Sequence, residues 1–108
     1  MTNTSGLLLT VAAVTLLSTS TSSVMAEVIR VEVKKLAFSQ AETTARVGDT
    51  IEWINDDFIA HTATAKDNSW DVVLEPGKIG RLTLKKVGTI EYFCRFHPNM
   101  KGRLSVTN

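Results

Sequence analysis

Residues 91–102 read EYFCRFHPNMKG and hold a thiol, an imidazole and a thioether at three-residue spacing: Cys94, His97 and Met100. Cys94 is the only cysteine in the chain. Successive side chains of a strand point to opposite faces, so positions i, i+3 and i+6 cannot converge from one strand. They can share a helix face or line a curled loop. Pro98 and Gly102, between the strand-like stretches TIEYF and GRLSV, favour the loop. A fourth partner has to come from elsewhere, and His61 is the only other histidine.

These donor types narrow the chemistry. Two imidazoles, a thiolate and a weak thioether make the recurring composition of a copper electron-transfer site. Zinc competes for His and Cys, but its structural sites use four strong ligands and do not use Met. Oxygen-rich sites suited to calcium or magnesium are not suggested. A different chemistry would use Cys94 as nucleophile and His97 as base, yet no third residue that would orient the base stands out. Taken singly, each residue has an ordinary role: a buried Cys as a small hydrophobe, a His as a polar core or surface group, a Met as gap filler. The metal reading rests on the only Cys, both His and a Met meeting one ligand pattern together.

Short pieces of period-two sequence must position these groups. VIRVEVKK puts Ile29, Val31 and Val33 on one face. LAFSQAETTARV offers Leu36 and Phe38, then an extended run through Thr43, Ala45 and Val47. VGDT and EPGK are turns, and TIEWIN, rich in β-branched and aromatic residues, is a strong strand. AHTATA follows as a further strand, then the loop KDNSWD. IGRLTLKK, VGTIEYF and GRLSVTN set Leu82 and Leu84, Ile90 and Tyr92, and Leu104 and Val106 inward. No stretch sustains a helical apolar repeat. Seven to eight short strands at regular spacing predict an all-β fold, an antiparallel Greek-key sandwich or barrel, with no second domain. Trp53 shares a face with Ile51 and reads as core; Trp70 reads as a loop residue packing over an end of the sandwich.

Residues 1–26 contain no Lys, Arg, Asp or Glu. Leu7–Leu17 is apolar except for Thr10 and Thr15, too short for a membrane span of ~20 residues. It matches the apolar segment of a secretory signal, with VMA ending at Ala26 as a small-residue cleavage site. The expected mature domain is Glu27–Asn108, a small unit with a thin core that gains from a bound metal. One cysteine makes no internal disulfide. An odd cysteine in an exported protein is paired between chains, reactive, or occupied by a ligand. Twelve basic and eleven acidic residues, a net charge of +1, predict neither nucleic-acid binding nor strong membrane attraction.

VGDTIEWIN, then His61, then GTIEYFCRFHPNMKGRLSV resembles the cupredoxin family of small blue copper proteins. The short C-x-x-H-x-x-M loop, with Pro98 directly after the second His, is most similar to the amicyanin branch. The resemblance implies a Greek-key sandwich with one type 1 copper near one end, held by His61, Cys94, His97 and Met100. It implies a periplasmic one-electron carrier, not an enzyme, that works as a monomer with transient dehydrogenase- or cytochrome-type redox partners. A periplasmic copper-handling protein without redox turnover is the alternative. His97 would be the electron port, with Phe96, Pro98 and Met100 forming an apolar rim. Arg95, Lys101 and Arg103 lie near this end in sequence and could steer an acidic partner, although ordinary solvated charge is the reading preferred for them. The chain departs from the branch in having Thr62 where Asn usually follows the first His. It also has Arg95 and Phe96 in place of a small polar residue and Pro, and a shorter stretch from His61 to Cys94.

Overall fold

The computed structural model describes residue 6, residues 10–18 and residues 25–108. The leader read over residues 1–26 thus lies outside the described residues at positions 1–5, 7–9 and 19–24. Residues 10–18 form neither helix nor strand, and Val11, Val14, Leu16 and Leu17 are exposed. Among the described residues, no helix is long and apolar enough to cross a membrane.

From Val28 onward, strands and turns alternate. They are β1 (Val28–Lys34), β2 (Ala37–Phe38), β3 (Glu42–Arg46), β4 (Thr50–Asn55), β5 (His61–Ala65), β6 (Asp71–Leu74), β7 (Ile79–Thr83), β8 (Gly88–Phe93) and β9 (Lys101–Thr107). One sheet has the order β2-β1-β4-β7 and the other β3-β9-β8-β5-β6. The all-β sandwich expected from the strand pattern is present, with nine strands among the described residues instead of seven or eight. The additional one, β6, is a four-residue edge strand paired with β5, too short to display an alternation. Two pairs, β1 with β4 and β3 with β9, run parallel, which corrects the purely antiparallel expectation. Alternation along a strand reveals its buried face but not the direction of its neighbour.

That alternation sets the core. Val31 and Val33 of β1, Ile51 and Trp53 of β4, Tyr92 of β8, and Leu104 and Val106 of β9 are buried between the sheets. Of the apolar pair Leu36 and Phe38, Phe38 is buried and Leu36 is half exposed. Lys35 and Leu36 take φ of 53° and 59° and link Lys34 to Ala37 as a two-residue hairpin turn, the left-handed geometry such turns use. The extended run read through Thr43, Ala45 and Val47 stops short of Val47, which is exposed beyond the end of β3.

Tyr92 organises the centre. Its ring meets Phe38 edge-on at 4.9 Å and Trp53 at 5.6 Å, and its hydroxyl accepts the Trp53 indole N–H at 3.4 Å. Burial pushes the phenol pKa up, against the opposing effect of that indole donor. Trp70 lies 5.7 Å from both Trp53 and Tyr92. Opposite Tyr92 in the β8–β9 register sits Gly102, where a Cβ would collide with the Tyr92 ring. This close approach sets the register of the two strands that flank the Cys94 loop.

The β3–β4 turn is held by Asp49, whose carboxylate accepts the backbone N–H of Glu27 and of Arg46, each at 2.8 Å. These two donors hold the carboxyl below its ordinary range. A depressed carboxyl stabilises the fold above its unfolded pKa of about 3.9, and this contribution is lost as pH falls through the folded value. Asp49→Asn should therefore lower Tm at pH 7 and flatten the fall of Tm below about pH 4. Thermal melts across pH check this; an acid limb as steep as the parent's would contradict it.

Candidate metal centre

Cys94 follows directly on β8, two residues past Tyr92, and continues the face that buries Tyr92. Beyond Phe93 the chain leaves the sheet and returns at Lys101, its register partner. Between them two successive turns fold the loop: the His97 N–H donates to the Cys94 carbonyl at 3.3 Å and the Met100 N–H to the His97 carbonyl at 2.8 Å. The Cys94 N–H donates to the Met100 carbonyl at 3.0 Å and closes the base. Three-residue spacing is thereby converted from opposite faces into one curl, as Pro98 and Gly102 suggested.

His61 enters from the first position of β5 and is fully buried. Its Nδ1 lies 3.8 Å from Cys94 Sγ, and His97 Nδ1 lies 3.7 Å from the same sulfur. The imidazole rings are 5.0 Å apart at 64°. Ligating atoms of His61, Cys94 and His97 all fall within 4.8 Å of one another, a cluster that could hold a metal ion. Metal–sulfur and metal–nitrogen bonds of about 2.3 and 2.0 Å span a sulfur–nitrogen separation of this size, so the donor set fits a borderline-to-soft ion. Met100 closes the loop, and its side chain is buried in the same core cluster as Cys94. It is therefore not part of an exposed rim, contrary to expectation. Inward packing at the loop's end removes it from the surface, while Phe96 and Pro98 stay exposed. Phe58 and Ile59, from the loop preceding His61, are exposed at this end too.

Several supporting groups escaped the reading of the sequence. His61 Nε2 lies 2.7 Å from Asp57 Oδ2. With the proton on Nε2 donated to the carboxylate, Nδ1 keeps its lone pair toward the cluster. Asp57 also accepts the backbone N–H of Lys35 at 2.7 Å and of Leu36 at 3.1 Å, securing the left-handed turn. Burial acts to raise its pKa, but the Leu36 amide, the His61 ring and the Lys35 amide outweigh it and the carboxyl stays below its ordinary range. Asn55, fully buried, accepts the Asp57 N–H at 2.9 Å and donates its amide to the carbonyls of Ile59 and Leu74, each at 2.9 Å. It thus clamps the loop that delivers His61. The Thr62 N–H donates to Cys94 Sγ at 3.3 Å. The available signals were weak: an acidic pair at 56–57, its second member four residues before a candidate ligand, and an Asn ending the strand TIEWIN. Of the basic residues near this end, Arg95 pairs with Asp71 at 3.0 Å and Arg103 with Glu91 at 3.2 Å.

Comparison with known proteins places this arrangement. A family model described as the cupredoxin-like domain matches residues 7–106. Amicyanin of Paracoccus versutus is 25% identical over 91 residues, covering 79% of this chain and 69% of that protein. Amicyanin of Paracoccus denitrificans is 29% identical over 84 residues, covering 72% of this chain and 64% of that protein. The chain thus spans about two thirds of the length of these curated relatives. The crystal structure of P. versutus amicyanin superposes with a TM-score of 0.65 at 25% identity, over 73% of this chain and 80% of that one. A Cu(I) structure of an amicyanin mutant gives 0.65 at 26% identity, over 73% and 81%.

The Asp57 geometry carries a measurable cost. Asp57→Ala strips the acceptor from two turn amides and from His61, and should destabilise the protein by about 1–2 kcal/mol. Urea unfolding at pH 7 measures it. An unchanged midpoint would show that the turn and His61 are held by other contacts.

Proposed function

Because this chain belongs to the cupredoxin-like family, we propose that it is a small blue copper protein that carries single electrons between redox partners. The observation that carries the reading is the convergence of His61, Cys94 and His97 ligating atoms within 4.8 Å, with both ring Nδ1 atoms facing the sulfur. In this reading one type 1 copper per chain would be held by His61, Cys94, His97 and Met100, the last as a weak thioether ligand. Bound copper supplies the one-electron couple between Cu(I) and Cu(II).

The residues of the chain have distinct tasks. Cys94 binds as thiolate, and the Thr62 N–H stabilises the negative charge on its sulfur. Asp57 fixes the tautomer and the ring plane of His61. The loop closed by the Cys94–Met100 backbone bond keeps His97 and Met100 in place through both oxidation states. Burial of Cys94 and His61 excludes water from the sulfur. His97 is partly exposed and is the port through which an electron passes. Around it Phe96, Pro98, Phe58 and Ile59 offer apolar surface for brief encounters with a dehydrogenase- or cytochrome-type partner. Such redox interfaces are small, below ~1,200 Å². This is a carrier's equipment and not an enzyme's: the relay requires no bond to a substrate.

We read residues 1–26 as an export leader, and the working protein as periplasmic and monomeric. A cut after Ala26 leaves every strand intact, since β1 begins at Val28. It also turns the Glu27 N–H, 2.8 Å from Asp49, into an ammonium facing a carboxylate. Mass spectrometry of the exported protein should give the mass of Glu27–Asn108; retention of the full chain would refute the cut.

One equivalent of Cu(II) should produce an intense blue band and a narrow copper hyperfine splitting in the EPR spectrum. A pale, ordinary copper spectrum would overturn the assignment. Cys94→Ser should abolish the blue colour, and Met100→Gln should retain copper with a lower reduction potential, read by voltammetry. A full blue spectrum in Cys94→Ser would sink the ligand assignment. A reversible potential combined with slow electron self-exchange would favour the copper-handling alternative.

A further inference from the structure

Behind the ligands lies a second set of polar groups, drawn from β5, β6 and the Cys94 loop. The Arg95 backbone N–H donates to Thr62 Oγ1 at 2.9 Å. Thr62 Oγ1 lies 2.9 Å from Thr64 Oγ1, and the Thr64 hydroxyl donates to Asp71 Oδ1 at 2.5 Å. The same carboxylate accepts the Arg95 side chain twice, Nε at 3.1 Å and Nη2 at 3.0 Å. The chain of bonds therefore starts and ends on Arg95.

The directions of these bonds are fixed. An ionised carboxylate only accepts, so Thr64 must donate to Asp71. The single Thr64 proton is then committed, and its oxygen must accept from Thr62. The Thr62 oxygen, having given its proton to Thr64, accepts from Arg95. Hydrogen bonding from Arg95 and from Thr64 holds the Asp71 carboxyl below its ordinary range, which keeps it in the accepting form. Thr62 and Thr64 are buried, so neither hydroxyl can readily exchange its partner for water.

Thr62 is thus tied to the Cys94 segment at two points. Its N–H reaches Cys94 Sγ at 3.3 Å, and its hydroxyl receives the N–H of the next residue, Arg95. We propose that the Thr62–Thr64–Asp71–Arg95 ring is a positioning device: it sets the distance between the Cys94 sulfur and the Thr62 N–H. Thr64 and Asp71 are positioning residues that touch no ligand atom and act through Thr62 and Arg95. Hydrogen bonding to the cysteine sulfur is one of the levers on the potential of such a site. The bond stabilises negative charge on sulfur, which grows on reduction, so weakening it lowers the potential. This last step rests on the copper reading above.

The test uses Thr64→Val, which keeps shape but breaks the relay, and Thr64→Ser, which restores the hydroxyl. Asp71→Ala removes the final acceptor at a half-exposed position and serves if the valine variant fails to fold. Amide hydrogen exchange in the metal-free protein should show the Arg95 N–H, whose acceptor Thr62 Oγ1 is no longer oriented by the relay, exchanging several-fold faster in Thr64→Val and Asp71→Ala, up to the roughly tenfold of a wholly lost net hydrogen bond. The Trp53 amide should be unchanged, and Thr64→Ser should match the parent. In the copper-loaded protein the same two variants should have lower reduction potentials and Thr64→Ser should not. An Arg95 amide within twofold of the parent, an equal acceleration at Trp53, or an unaltered potential would overturn the proposal. The exchange measurement needs no metal. A parent that forms no blue centre would therefore refute the copper reading separately from the ring.

Discussion

Cys94 Sγ is buried between two imidazoles and receives one backbone N–H, from Thr62. A sulfur that is to carry negative charge in a closed apolar setting needs compensation, because an isolated buried charge costs several kcal/mol. Most polar atoms around it are accordingly bound on their far side. His61 turns its Nε2 to Asp57, Asn55 spends its amide on two carbonyls, and Thr62 and Thr64 form a line ending on Asp71. The Thr62 N–H and the two Nδ1 atoms face the sulfur, and the cluster is arranged by the needs of its surroundings.

The two sheets divide this work. The β2-β1-β4-β7 sheet contributes Val31, Val33, Ile51 and Trp53 to the core; the other sheet carries His61 and leads into and out of the Cys94 loop. Tyr92 joins them, with its ring against Phe38 and its hydroxyl at Trp53. Since Gly102 leaves room for that ring and no side chain would, a slip of one residue in the β8–β9 register would bring the ring against a larger residue. It would also turn Cys94 to the outer face. Aromatic packing and ligand direction are therefore a single constraint.

The convergence of His61, Cys94 and His97 was legible because its residue types are scarce: one cysteine and two histidines leave few combinations, and three-residue spacing beside Pro98 and Gly102 demands a curl. Strand faces were legible from alternation, which correctly turned Tyr92, Leu104 and Val106 inward; Trp70, read as a loop residue, packs partly buried against Trp53 and Tyr92. What escaped depends on contacts distant in sequence. Asp57 resembles any solvated turn acid until the Lys35–Leu36 turn, more than twenty residues away, is folded against it. Asp71 gains meaning only once β6 pairs with β5, and β6 is too short to announce itself. Parallel pairing leaves no mark on alternation, and the inward turn of Met100 depends on how the loop closes.

The supports of the two imidazoles are unequal, and the inequality has a direction. His61 is wholly enclosed and anchored by a carboxylate that is itself anchored by two backbone amides. His97 sits in a loop held by backbone bonds and reaches solvent. In the electron-carrier reading proposed above, two rings locked inside would leave the site rigid but electrically remote from any partner. Two exposed rings would admit water to the sulfur and loosen the cluster. One ring of each kind satisfies both demands. The rigid ring belongs to the strand that also supplies the sulfur's N–H donor, and the exposed ring is surrounded by Phe96 and Pro98. Arg95, paired with Asp71, lies with its guanidinium 5.3 Å from the Phe96 ring, so the rim beside His97 joins apolar surface to an engaged charge.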